Sequence, residues 1–133
     1  MNNIKYIVIH CSDSPDGRDV DAAMIHRWHR DDNGWDGIGY HHVIKRNGEI
    51  EQGRPEYWQG AHVRHYNDNS IGICIIGREH FSFQQYQSLS ILVKEVLHRH
   101  PKALVVGHGE LDLAKTCPNI DINGWCVSEG IIQ

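Results

Sequence analysis

Ile4-Lys5-Tyr6-Ile7-Val8-Ile9-His10 is apolar at every position from Tyr6 to Ile9, so both faces of this segment call for burial. Such a strand belongs in the middle of a sheet with helices packed over it. His10 then closes a rigid, buried strand. Outward from it, residues 19–30 read as a helix in which Val20, Met24 and Trp28 recur every four positions. Acidic residues lead that segment and basic ones close it, as the helix dipole favours. Residues 40–46 and 49–52 flank Asn47-Gly48, which predicts a type I′ hairpin turn. Residues 70–76 form another β-rich run.

Ser82 followed by Gln85 is a capping-box pattern. The helix it starts places Tyr86, Leu89, Val93, Val96 and Leu97 on one stripe and stops before Pro101. Residues 103–106 read as a short strand, and a last short helix begins near Asp121 and carries Trp125. The order β-α-β-β-β-α-β-α predicts an α/β fold, a single domain with a mixed central β-sheet flanked by helices. Strand order does not follow from it.

A length of 133 residues fits one compact domain able to bury a core. The net charge of −4 and the absence of a basic stripe argue against nucleic acid as a partner. No stretch approaches the roughly 20 apolar residues of a membrane helix, so no membrane insertion is expected. The amino-terminal residues lack the basic start and long apolar core of a secretory signal, which predicts a cytoplasmic product. Cys11, Cys74, Cys117 and Cys126 form no C-x-x-C pair, which favours free thiols or a metal ligand over disulfides. Eleven histidines stand out.

Position selects among them. His10 ends the first strand, and His108 follows the 103–106 strand through Gly107. Cys117 lies nine residues beyond His108, in Lys115-Thr116-Cys117-Pro118. Two imidazoles and a thiolate are a three-ligand set for catalytic zinc, with a fourth position open. By spacing alone, each could equally be a cap, loop or core residue.

Several segments together carry a resemblance. They are Ile7-Val8-Ile9-His10-Cys11-Ser12, Gly34-Trp35-Asp36-Gly37-Ile38-Gly39-Tyr40-His41-His42, Gly60-Ala61-His62, Tyr66-Asn67-Asp68-Asn69-Ser70, Gly107-His108 and Lys115-Thr116-Cys117-Pro118. In this order they resemble the zinc-dependent N-acetylmuramoyl-L-alanine amidases of the type-2 amidase and peptidoglycan-recognition-protein superfamily. The similarity is greatest to the small phage "lysozymes" that are amidases by chemistry. It implies one Zn²⁺ per chain held by His10, His108 and Cys117, with Tyr40 and Lys115 as catalytic side chains. It also implies that His62, Tyr66 and Asn67 line the substrate groove. Tyr40 is expected to begin the second strand.

The expected partner is the glycan–peptide of peptidoglycan, cut between N-acetylmuramic acid and L-alanine. The resemblance further implies a monomeric catalytic domain over residues 1–133 with no separate wall-binding domain. A phage endolysin of this kind waits in the host cytoplasm for a holin-type pore. Polymerase binding, known in one relative, is not transferred, because His10 stands so close to Met1. Two alternatives remain at this point: a non-catalytic wall-binding module, which typically lacks the cysteine ligand, and a cytoplasmic muropeptide-recycling amidase. The remaining histidines, including His26, His29, His41 and His42, are expected to be incidental.

Overall fold

A computed structural model describes residues 3–133. The elements in chain order are β1 (Tyr6–Cys11), α1 (Ala22–Asp31), β2 (His42–Ile44), β3 (Ile50–Gln52) and β4 (Ser70–Ile75). They continue with α2 (Phe83–Arg99), β5 (Leu104–Gly107), α3 (His108–Leu111) and α4 (Ile122–Ser128). The five strands form one sheet in the order β3-β2-β4-β1-β5. β1 runs parallel to β4 and β5, β2 runs parallel to β4, and β2 and β3 are antiparallel. The expected mixed sheet is present, and β1 lies inside it.

Alternation along β1 and β4 divides the core between two faces. Ile7, Ile9, Ile71, Ile73 and Ile75 pack with Leu89, Leu92, Val93 and Val96 of α2 and Ile122 of α4. On the other face Val43, Cys74 and Ile76 pack with Val20, Ile25 and Ile38. Each isoleucine so buried contributes about 1.5–3 kcal/mol, so the fold is anchored at the strands that carry His10 and its neighbours.

The capping box at Ser82 forms as expected. Ser82 Oγ accepts from Gln85 N–H, and Gln85 Oε1 accepts from Ser82 N–H. Gln85 and Leu92 are buried, whereas Tyr86 and Leu97 of the expected stripe are only half-buried. Gln85 is tolerated inside because its amide donates to the carbonyls of Ile44 and Ile76.

Two local expectations are corrected. Asp21 caps α1 by accepting from Met24 N–H, so the helix starts at Ala22 instead of at residue 19. Val20 and Ile25 then occupy the two positions of a hydrophobic staple in one buried cluster. The 45–49 turn is not type I′, which needs positive φ at both central residues. Gly48 has φ 89° while Asn47 stays at negative φ, and Gly48 N–H donates to Lys45 O. That is a three-residue loop ending in a left-handed glycine.

Candidate metal centre and active site

Sheet register brings the two histidines together. Ile9 pairs with Gly107 across β1 and β5, so the next residues, His10 and His108, emerge side by side. His10 Nδ1 lies 3.1 Å from His108 Nδ1. Cys117 arrives on the loop after α3, where its carbonyl accepts from Gly109 N–H at 2.9 Å. Its Sγ accepts from Cys11 N–H at 2.7 Å. One ligand atom each from His10, His108 and Cys117 lie within 4.8 Å of one another.

The donor set suits a soft-to-borderline divalent cation. Burial, reinforced by His62 and His108, holds His10 well below the usual imidazole range, leaving it neutral with a free lone pair. Burial also lowers His108, with Asp112 opposing and Lys115 adding to the shift. Contact with the Cys11 thiol and burial push Cys117 up. A bound cation reverses that balance, because a coordinating thiol loses its proton outright. Two neutral imidazoles and one thiol match the three-ligand donor set by which a catalytic zinc ion would be held.

Tyr40 stands beside this cluster, its ring 5.0 Å from that of His10. It does not begin β2, which starts at His42. Instead it ends a loop pinned to α1, where His26 Nδ1 accepts from Ile38 N–H and His29 Nδ1 from Gly39 N–H. The ring planted on Gly37 is that of His26, and a Cβ there would come within 2.3 Å of it. Burial raises the Tyr40 phenol well above its usual range, so it remains an O–H donor. Lys115 is exposed on the loop before Cys117, and its charge reaches His108.

Of the three expected groove residues, only His62 is brought to the cluster. His62 Nδ1 lies 2.9 Å from His10 Nε2. Burial and the neighbouring His41 and His108 bring its pKa down to about 3, so the ring is neutral. Asn67 Oδ1 is committed to the backbone, accepting from His62 and Val63 N–H at 2.8 Å each. The Tyr66 ring packs edge-on against Tyr6, at the opposite end of β1 from His10.

Several histidines expected to be incidental have defined partners. His26 and His29 hold the Tyr40 loop, as above. His41 is fully buried, with Nδ1 accepting from Gly72 N–H and Nε2–H donating to Trp58 O. Their spacing of three along α1 was the available signal for His26 and His29, which share one helix face. Ser70, whose hydroxyl lies 3.2 Å from His62 Nε2, read only as the start of a strand.

The family model for N-acetylmuramoyl-L-alanine amidase matches residues 1–120. The chain is 36% identical over 127 residues to the endolysin of Escherichia phage T7, covering 90% of this chain and 83% of that protein. It is 34% identical over 125 residues to the endolysin of Enterobacteria phage K11, covering 88% and 82%. Among solved structures, the endolysin N-acetylmuramoyl-L-alanine amidase LysCS from Clostridium intestinale superposes with a TM-score of 0.87 at 27% identity, covering 98% of this chain and 86% of that one. Bumblebee peptidoglycan recognition protein SA superposes with a TM-score of 0.81 at 25% identity, covering 96% and 82%. With a family model matched over most of its length and relatives more than 30% identical, the chain belongs to the N-acetylmuramoyl-L-alanine amidase family.

Proposed function

We propose that this chain cleaves the amide between N-acetylmuramic acid and L-alanine of peptidoglycan as a phage or prophage endolysin. In this proposal one zinc ion per chain is held by His10, His108 and Cys117. The observation that carries it is the convergence of two neutral imidazoles and a thiol within 4.8 Å at the ends of two adjacent parallel strands. Zinc, when bound, supplies Lewis acidity and brings the ionisation of water toward neutral pH.

The chain's own residues supply the rest. Tyr40, kept neutral by burial, donates a hydrogen bond at the reacting amide. Lys115, whose positive charge is felt at His108, offsets the negative charge that develops on the carbonyl oxygen. Cys117 favours hydrolysis over wall binding alone, because it completes a three-donor cluster. The enzyme acts as a monomer and reaches the wall through a holin-type pore. Among the described residues no helix is long and apolar enough to cross a membrane.

Digesting purified sacculi and identifying the new ends tests this function. Free amino groups on L-alanine, without new reducing sugars, are expected. New reducing ends would make the enzyme a glycosidase, and soluble muropeptides cut in preference to sacculi would favour a recycling role.

A further inference from the structure

Behind His10, away from the metal-ligand cluster, each proton in a chain of hydrogen bonds has one placement. The Tyr66 carbonyl can only accept, so Ser70 Oγ, 2.6 Å away, donates to it. That uses the single hydroxyl proton of Ser70. Its oxygen therefore accepts from His62 Nε2–H at 3.2 Å. A neutral imidazole carries one N–H, so His62 Nδ1 is a bare acceptor and takes its hydrogen bond from His10 Nε2–H at 2.9 Å. His10 Nδ1 is left with a lone pair, and this is the atom 3.1 Å from His108 Nδ1.

The surroundings are shaped to hold the His62 ring in that role. A Cβ on Gly72 would stand 2.7 Å from His62 Cγ, and one on Gly60 would stand 2.6 Å from Cδ2. Both glycines thus leave the room the ring occupies. Ser70 is fully buried in β4, and Asn67 clamps the backbone at His62 and Val63.

We infer that the Tyr66 carbonyl, Ser70 and His62 form a one-directional relay that fixes His10 in its Nε2–H tautomer and aims the Nδ1 lone pair toward His108 and Cys117. His62 is then a positioning residue, acting on the metal through His10. The tautomer is a property of the metal-free chain, whereas the effect on metal affinity rests on the zinc site proposed above. Partners that orient a ligating histidine typically change metal affinity 10–100-fold when removed.

Two measurements test the relay. Long-range ¹H–¹⁵N correlation spectra of the metal-free protein should show His10 protonated at Nε2 and bare at Nδ1, and His62 likewise. A His10 protonated at Nδ1 would overturn the relay without any substitution. Zinc affinity, read by competition with a chromogenic chelator, should fall about 10–100-fold in His62→Phe and recover in part in His62→Gln, whose carbonyl can accept from His10. Equal zinc affinity in the wild type and in a folded His62→Phe would overturn the positioning role alone. No zinc binding by the wild type would instead overturn the metal site itself.

Discussion

Cys117 Sγ accepts a hydrogen bond from the backbone N–H of Cys11 at 2.7 Å, across 106 residues of sequence. The strand that carries His10 thereby also seats the thiol, so two of the three groups proposed to hold zinc are fixed to one piece of backbone. Only the main chain of Cys11 is used in this bond. Cys117→Ala should therefore cost more zinc affinity than the roughly 10–100-fold lost with an outer partner, while Cys11→Ala keeps zinc. Chelator competition on both variants checks this, and equal losses would contradict it.

Tyr40 is held as a neutral donor by burial, with its ring 5.0 Å from that of His10. Tyr40→Phe should bind zinc as the wild type does and hydrolyse peptidoglycan about 10²–10³-fold more slowly, the usual cost of one positioned donor. Turnover measured on zinc-loaded protein gives the comparison. Wild-type turnover in the variant would remove Tyr40 from the chemistry.

The close fit of His62 over Gly72 makes a steric prediction. Gly72→Ala would drive a methyl to 2.7 Å from His62 Cγ. In a packed interior such an insertion costs typically 1–3 kcal/mol. Denaturant unfolding should show that loss together with weakened zinc binding. Unchanged stability would mean that the loop carrying His62 yields freely.

Glu56 gives the pH dependence of stability. Burial works to raise its carboxyl, yet the His42 imidazole and the Arg99 guanidinium, the latter at 2.6 Å, prevail and bring it from 4.5 to about 2. A depressed folded-state pKa contributes stability above the unfolded value, and that contribution is lost as pH falls. The gap in Tm between wild type and Glu56→Gln should therefore be full above pH 4.5 and shrink toward pH 2. A gap independent of pH would contradict the assignment.

The sequence made the frame of the molecule legible because its signals are local. The unbroken apolar run of β1, the Ser82–Gln85 box and the helix start near Asp121 each depend on a few residues, and each formed where expected. His10 and His108 were legible because a strand end is a fixed address, and parallel pairing of β1 with β5 does the rest. The partners of the other histidines were not legible. His62 meets His10 52 residues away, and His41 meets Gly72 N–H 31 residues away. Contacts of that kind depend on strand order, which no periodicity encodes. The same holds for Tyr66, whose ring turned to Tyr6 instead of toward the His10 end of β1.

Titrating zinc into chelator-stripped protein, while following release of L-alanine-terminated stem peptides from sacculi by mass spectrometry, tests the central claim most directly. Stripped protein should be inactive, and activity should rise linearly and saturate at about one zinc per chain, the capacity of a single three-donor site. His108→Ala should not recover under the same titration. Full activity in stripped protein, or recovery in His108→Ala, would show that the His10–His108–Cys117 cluster is not where the amide is cut.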